Sequence, residues 1–245
     1  MKPSIQSETI DIRETGGPKQ GEPQKSNRRL FCLFQAFSGC LDSTALIASI
    51  KTLGLDSVLY EEVNDPHGIG LLVMHENPAV FVDRLRPLLN KPPFADCKLK
   101  PALTMLGRTY ALGREQNLED WLIEKPKRTT LNPEWPWAIW YPLRRKPEFE
   151  LLPREEQSKI LYEHAKIGIA FGEADFAHDV RLACHGLDQN DNDFVIGLIG
   201  KELYPLSRVV QEMRKTQQTA KYLQSLGPFF IGRVKWQSPS STQSA

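Results

Sequence analysis

The stretch at residues 158–172, SKILYEHAKIGIAFG, carries the periodicity from which the architecture of this chain can be worked out. Apolar residues and one histidine recur in it at helical spacing: Ile160, Leu161, His164 and Ile167. This spacing predicts an amphipathic helix with His164 on its apolar stripe. A histidine there points into the protein, where its ring nitrogens must find hydrogen-bond partners or bind a ligand. Taken alone, the helix is typical of a core histidine bonded to a backbone carbonyl.

Segments with the character of β-strands flank this helix on both sides. One precedes it at residues 135–144, and two follow it at residues 175–185 and 193–200, joined by a Gly-Leu-Asp turn. A long helix predicted over residues 203–226 then leads to a last strand at residues 229–236. The order is β-α-β-β-α-β, the ferredoxin-like arrangement of an antiparallel sheet with its helices on one face.

The first half of the chain repeats this order. It has strands at residues 29–37, 57–63, 69–75 and 99–111, and helices at residues 42–53 and 77–90. The predicted fold class is therefore α+β, with two ferredoxin-like β-α-β-β-α-β units of the dimeric α/β-barrel type. Two such sheets can pair side by side or face to face. We expect their uncovered faces to enclose a pocket for a large ligand.

Composition shifts divide the chain into five segments. Residues 1–28 are polar, with hardly any large apolar side chain, which predicts a disordered tail. The N-terminal unit follows at residues 29–113, and a charged connector with Pro126 and Pro133 occupies residues 114–133. The C-terminal unit, which holds His164, spans residues 134–237, and residues 238–245 form a second predicted disordered tail.

The bulk composition excludes several function classes. The chain has 245 residues, 40% hydrophobic and 25% charged, with a net charge of +1. This charge predicts no nucleic-acid partner, and no apolar run is long enough for a membrane span. The polar N-terminus and only 4 cysteines favour a cytoplasmic protein. Cys184 and His185 are interpreted as ordinary strand residues rather than a metal pair, and no zinc, covalent-haem, phosphate-loop, dinucleotide or serine-hydrolase motif occurs.

Two features of the second half suggest a ligand with carboxylates. Aromatic residues crowd one strand and a basic cluster follows: Trp135, Trp137, Trp140, Tyr141, Arg144, Arg145 and Lys146. Such a strand suits a flat, apolar ligand carrying carboxylates, or equally a Trp-rich core strand that ends in a solvated basic turn. Arg181 lies between Val180 and Leu182 in an apolar run. An arginine that points inward there needs an anion, whereas one on an edge strand does not.

With these residues in view, the second half resembles the chlorite dismutase-like haem proteins, and within them the coproheme decarboxylases. The resemblance is carried, in order, by Tyr141-Pro-Leu-Arg-Arg145, Leu152-Pro-x-Glu-Glu156, His164-x-x-Ile-Gly168, Gly186-Leu-Asp188 with Asp193-Phe194, Glu212-Met-Arg214, Thr219-Ala-Lys-Tyr222 and Gly227-Pro-Phe-Phe-Ile-Gly232. The first half matches only in its ferredoxin-like pattern.

The resemblance implies a haem-type cofactor, coproheme or haem b, with His164 as the ligand of its iron. Arg145 would hold a propionate, and Trp140, Ile167 and Gly168 would be further porphyrin contacts. Tyr141 would be the redox-active tyrosine of coproheme decarboxylases.

Two other positions remain open under this resemblance. In the family a glutamate on the last helix accepts a hydrogen bond from the ligand histidine, and Gln218 or Glu212 would take that place here. On the opposite side of the porphyrin one alignment places Arg181 and another places Asp179. Arg181 is favoured, since a guanidinium can stabilise a bound oxidant.

The implied activity is the peroxide-dependent decarboxylation of coproheme to haem b through Tyr141. The alternatives are a chlorite dismutase or peroxidase that acts through haem b and Arg181, and a haem carrier or sensor without turnover. The expected partners are a porphyrin and hydrogen peroxide or another small oxidant. The family resemblance also implies a homo-oligomer, a ring of five subunits.

Overall fold

The computed structural model describes residues 10–239. Its strands are β1 (Glu14–Lys19), β2 (Glu22–Ser26), β3 (Phe31–Ser38), β4 (Asp56–Glu62), β5 (Ile69–His75), β6 (Lys98–Arg108), β7 (Trp137–Arg145), β8 (His178–Ala183), β9 (Phe194–Gly200), β10 (Leu223–Leu226) and β11 (Phe230–Gln237). Its α-helices are α1 (Thr44–Lys51), α2 (Arg86–Leu89), α3 (Lys125–Thr130), α4 (Arg154–Glu173), α5 (Leu203–Met213) and α6 (Gln217–Tyr222). Two π-helical turns, Phe81–Leu85 and Asp120–Glu124, lead into α2 and α3, and 3-10 turns lie at Phe94–Asp96 and Pro147–Phe149.

The strands form two antiparallel ferredoxin-like sheets, as the repeated strand and helix order predicts. The first has the strand order β6-β3-β5-β4, and the second has β8-β9-β7 with β10 and β11 along the far edge of β7. The sheets join at both ends, where β11 pairs with β4 and β8 meets β6 at Ala183 and Arg108. They therefore close into one antiparallel barrel, which confirms the predicted fold class.

The interior of this barrel is filled by aromatic side chains. Phe34, Trp140 and Phe230 are buried there, with Phe34 stacked on Trp140 at a ring-centroid distance of 5.8 Å and edge-on to Phe230 at 4.8 Å. A Cβ atom at Gly197 would come within 2.5 Å of the Trp140 ring. The expectation of a ligand pocket between the uncovered sheet faces is thus wrong, because large side chains from both sheets occupy that space.

Residues 10–28 differ from the predicted disordered tail, since they contain the β1–β2 hairpin. The hairpin is anchored to the connector by backbone and amide hydrogen bonds: Gly17 N donates to Glu115 O at 3.0 Å, and Gln24 Nε2 donates to Glu115 O at 2.9 Å. Polar side chains that composition predicts to face solvent, such as that of Gln24, form hydrogen bonds to the backbone here. Residues 1–9 and 240–245 of the two predicted tails lie outside the described residues. Ser238 extends the sheet edge by donating its backbone N–H to Ser57 O at 2.9 Å.

The connector is also more ordered than a linker. Its helical segment, the turn Asp120–Glu124 and α3, buries Leu122 and Ile123 against the barrel core. This segment therefore covers one part of the barrel instead of only joining two units.

The long helix predicted over residues 203–226 is wrong in its second half. It ends at Met213, and after a short turn Thr216 adopts an extended conformation and caps α6. The Thr216 side chain accepts a hydrogen bond from the backbone N–H of Thr219. Such a cap favours the start of a new helix over continuation of the preceding one. Within residues 10–239 no helix combines the length and apolar character required to cross a bilayer.

Candidate active site

A large cavity lies outside the barrel, between the outer face of the second sheet and the helices that cover it. Its volume is about 1150 Å³, including the open mouth. The sheet wall comes from β7, β8 and β9, and the helical wall from α4, α5 and α6. A space of this size suits an organic ligand larger than most metabolites.

The alternation of β7 decides which of its side chains reach this cavity. Tyr141, Leu143 and Arg145 line it, whereas Trp140 points to the opposite face and into the barrel. The prediction that Trp140 contacts a porphyrin together with Tyr141 is therefore wrong, because neighbouring strand residues face opposite sides of the sheet.

Helix α4 brings His164 to the opposite wall. Pro153 precedes the helix, and two acidic residues occupy its first turn, where they complement the helix dipole. His164 is half-buried, and its Nδ1 lies 3.2 Å from Thr216 Oγ1. Burial, followed by the positive charges of Arg181 and Arg145, lowers the pKa of His164 to about 4. The imidazole is therefore neutral near pH 7, the state in which a ring nitrogen can bind a metal.

Neither of the expected hydrogen-bond partners of His164 holds that position. Glu212 pairs with Arg208 and Lys215, each at 2.7 Å. Gln218 is buried and lines the cavity, but the observed contact of the ring is with Thr216. The signal that could have indicated it is the Lys-Thr-Gln-Gln sequence, since a threonine there can cap a helix and thereby break the long one.

Arg145 is a half-buried cation with weak pairing. Its guanidinium lies between two aromatic rings, 4.8 Å from the centroid of Phe149 and 4.7 Å from that of Phe194. The nearest carboxylate within the described chain belongs to Glu150 at 3.7 Å, and the Nε atom is buried without a hydrogen-bond partner there. Burial lowers the pKa of Arg145. A guanidinium in this environment is suited to receive an anion from the cavity.

Tyr141 is buried beside this arginine on the same strand face. Its ring packs against Phe229 at a centroid distance of 4.7 Å, and burial raises the pKa of the phenol well above its usual value. The phenol is therefore protonated across the physiological range, so that it can give up a hydrogen atom or a proton together with an electron.

Arg181 and Asp179 line the cavity from β8 and form an ion pair with each other. Burial acts to raise the pKa of Asp179, but the Arg181 guanidinium outweighs it and holds that pKa below its usual value. The two residues that sequence analysis weighed as alternatives are thus adjacent on one wall, one carrying each charge.

The cavity has a positively charged lining. Its arginines are Arg114, Arg145, Arg181 and Arg214, and the only acidic residue among the residues that line it is Asp179. Arg114 and Arg214 are exposed at the rim. This excess of positive charge favours a ligand with several carboxylates.

Most of the predicted site residues meet at this cavity. The structure brings together Tyr141, Arg145, His164, Gly168 and Arg181. Ile167 does not line the cavity and packs instead in the apolar cluster between the sheet and the helices. Two acidic residues, one on α4 and one just after it, have other partners.

Those two residues are Glu163 and Asp175. Glu163 accepts a hydrogen bond from the backbone N–H of Gln217 at 3.2 Å. Asp175 pairs with His178 and Lys201.

The fold and the cavity define a dimeric α/β-barrel protein whose candidate site is lined mostly by its second unit. A family model described as chlorite dismutase matches residues 95–235, more than half of the sequence. The chain belongs to the chlorite dismutase family.

Solved structures share this fold at low sequence identity. A haem-binding protein from Thermus thermophilus has a TM-score of 0.66 at 18% identity, over 84% of this chain and 91% of its own. A mutant chlorite dismutase from Candidatus Nitrospira defluvii in complex with cyanide has a TM-score of 0.64 at 15% identity, over 87% and 92% of the two chains. The chlorite dismutase of the same organism in complex with imidazole gives 0.64 at 14%, over 89% and 94%.

Proposed function

We propose that this protein binds an iron porphyrin in the cavity, and that His164 would be a ligand of its iron. The observation that supports the fit is the pair of opposed walls. A neutral imidazole lies on the helical wall, and a weakly paired, half-buried Arg145 lies on the sheet wall. The imidazole suits iron, and the guanidinium suits a propionate. A solved structure with the same fold is described as a haem-binding protein.

The activity that these residues support best is the peroxide-dependent decarboxylation of coproheme to haem b. Tyr141 and Arg145 line the cavity from one face of β7, about 13 Å apart along the strand with Leu143 between them, so a porphyrin that lies across this face can reach both. Four arginines against one acid suit the four propionates of coproheme better than the two of haem b. The substrate would therefore be the porphyrin itself.

The balance of the reaction assigns a role to each residue. Each propionate that becomes a vinyl group loses carbon dioxide, one proton and two electrons, and hydrogen peroxide with two protons takes up the electrons to form two waters. Hydrogen peroxide is the oxidant, and an iron porphyrin, when bound, would supply the redox centre through which its two oxidising equivalents become available. Tyr141 loses one electron and one proton, then regains a hydrogen atom from the propionate side chain. Arg145 holds the carboxylate in place while this occurs. Loss of the second electron accompanies cleavage of the carbon–carbon bond.

The test is a mass-spectrometric assay with the protein, iron coproporphyrin III and hydrogen peroxide. We expect stepwise loss of carboxyl mass, which Tyr141→Phe abolishes while porphyrin binding persists. Tyr204→Phe is the matched control, since Tyr204 is 73% exposed and lies outside the cavity. No loss of carboxyl mass with the unmodified protein would refute the decarboxylase proposal. An unchanged Soret spectrum in His164→Ala would refute the axial ligand.

Chlorite dismutation or a general peroxidase activity is the second candidate, supported by Arg181 on the cavity wall. It ranks second because Asp179 neutralises much of the charge that Arg181 would offer to an anionic oxidant. Oxygen evolution from chlorite that Arg181→Ala abolishes would establish it. Porphyrin binding without a response in either assay would leave a carrier or sensor. The ring of five subunits and the cytoplasmic location stay predictions.

A further inference from the structure

The hydroxyl of Thr216 has a close backbone acceptor. This residue is 2% exposed, and its Oγ1 lies 2.8 Å from the carbonyl oxygen of Met213. A second acceptor for the hydroxyl hydrogen, Thr219 Oγ1, lies at 3.4 Å. A hydrogen donated to either atom is not donated to His164 Nδ1. Towards the ring, at 3.2 Å, the oxygen therefore presents only lone pairs.

We propose that Thr216 is a positioning residue that fixes the tautomer of His164. Because the hydroxyl oxygen can only accept, the Nδ1 atom of the ring must carry the hydrogen. The Nε2 atom is then left with a free lone pair, as a metal ligand requires. The role of Thr216 in the unliganded protein stands on this geometry alone. Its effect on iron rests on the proposed function.

The acceptor of the His164 hydrogen bond is a neutral hydroxyl, and this affects how strongly the ring can donate electrons to a metal. The two glutamates closest in sequence to this contact are engaged elsewhere. Glu212 pairs with Arg208 and Lys215, and Glu163 accepts from the Gln217 N–H. The ring thus donates to a neutral hydroxyl rather than to a carboxylate, and a neutral acceptor polarises the N–H bond less. His164 remains an uncharged imidazole and a weaker electron donor. A weak axial bond suits a porphyrin that must enter as substrate and leave as product.

The first test uses the unliganded full-length protein and measures ¹⁵N chemical shifts of the His164 ring. We expect the Nδ1–H tautomer in the native protein and in Thr216→Ser, which keeps the hydroxyl. In Thr216→Val, which removes the acceptor, we expect that preference to be lost. Thr216→Gly is the second variant, because glycine is a tolerated helix N-cap and α6 can then form without the hydroxyl. An Nε2–H ring in the native protein, or an unchanged tautomer in both Val and Gly variants, would overturn the proposal.

The second test addresses the charge of the acceptor. Thr216→Asp keeps the helix cap and replaces the hydroxyl with a carboxylate. With ferrous porphyrin bound, resonance Raman should give a higher iron–histidine stretching frequency in this variant than in the native protein, and transfer of the porphyrin to an excess of a haem-scavenging protein should slow. Equal frequencies and equal rates would overturn this part. His164→Ala separates the two proposals, because it tests iron ligation independently of the tautomer measured without iron.

Discussion

Replacing Arg145 by methionine should stabilise the unliganded protein and weaken its binding of a carboxylated porphyrin. The guanidinium is charged at every accessible pH, yet its side chain is only 17% exposed, its Nε atom lacks a partner within the described residues, and its nearest carboxylate is 3.7 Å away. An unsatisfied buried polar group costs about 1–3 kcal/mol. Methionine keeps the packing between Phe149 and Phe194 and removes this cost. We therefore expect the free energy of unfolding to rise by about 1–3 kcal/mol.

The same substitution should reduce affinity. A hydrogen bond to a charged group contributes about 1.5–3 kcal/mol, so the dissociation constant for iron coproporphyrin III should rise by roughly 10- to 150-fold. The opposite signs on stability and affinity identify a residue retained for binding rather than for folding.

Urea unfolding of the unliganded protein and a spectroscopic titration with the porphyrin measure the two quantities. Arg144→Met is the matched control, since Arg144 is the preceding residue, is 35% exposed and pairs with the exposed Asp191. It should change stability by no more than about 1 kcal/mol, as exposed ion pairs contribute little. The tetramethyl ester of the porphyrin is the ligand control and should not distinguish Arg145 from methionine. A less stable Arg145→Met protein with unchanged affinity would refute the reasoning.

Two further predictions concern the barrel and the β8 ion pair. Gly197→Ala should lower the free energy of unfolding by about 1–3 kcal/mol, because its Cβ would meet the Trp140 ring at 2.5 Å; thermal unfolding within error of the native protein would contradict this. Asp179→Asn should destabilise the protein by about 1 kcal/mol at neutral pH, because it removes the partner of Arg181 from an ion pair whose side chains are each about one-third exposed. Since the folded-state pKa of Asp179 lies below its unfolded value, its contribution is present above about pH 4 and is lost as the pH falls further. Urea unfolding between pH 3 and pH 7 should therefore show a flatter acid limb in Asp179→Asn, and a limb as steep as that of the native protein would contradict the ion pair's role.

Within the two ferredoxin-like units, local periodicity predicted the order of strands and helices correctly apart from the second half of the long helix, because each amphipathic element buries one face against a neighbour. The same periodicity could have separated Trp140 from Tyr141, since adjacent strand residues cannot line one pocket. The alternation of β7 places Trp140 in the barrel, so its assignment as a porphyrin contact was wrong.

Other features depend on contacts between distant parts of the chain, which composition does not encode. The β1–β2 hairpin consists of residues that composition assigns to a disordered tail, and it is anchored by backbone atoms of Glu115. The partner of His164 lies 52 positions away, on a helix whose start depends on Thr216. Sequence reasoning could find the histidine from its stripe, but the acceptor became visible only once α4 and α6 were placed side by side.

The two faces of strand β7 pack against different parts of the protein. On one face, Ala138 and Trp140 pack in the barrel core, which holds the two sheets together. On the other face, Ile139, Tyr141 and Leu143 pack towards the helices. Substitutions on the helix-facing side can change which ligand is handled, without repacking the barrel. An enzyme engineer could therefore randomise one side of a single strand and keep the scaffold intact, and natural relatives could diverge in chemistry by the same route.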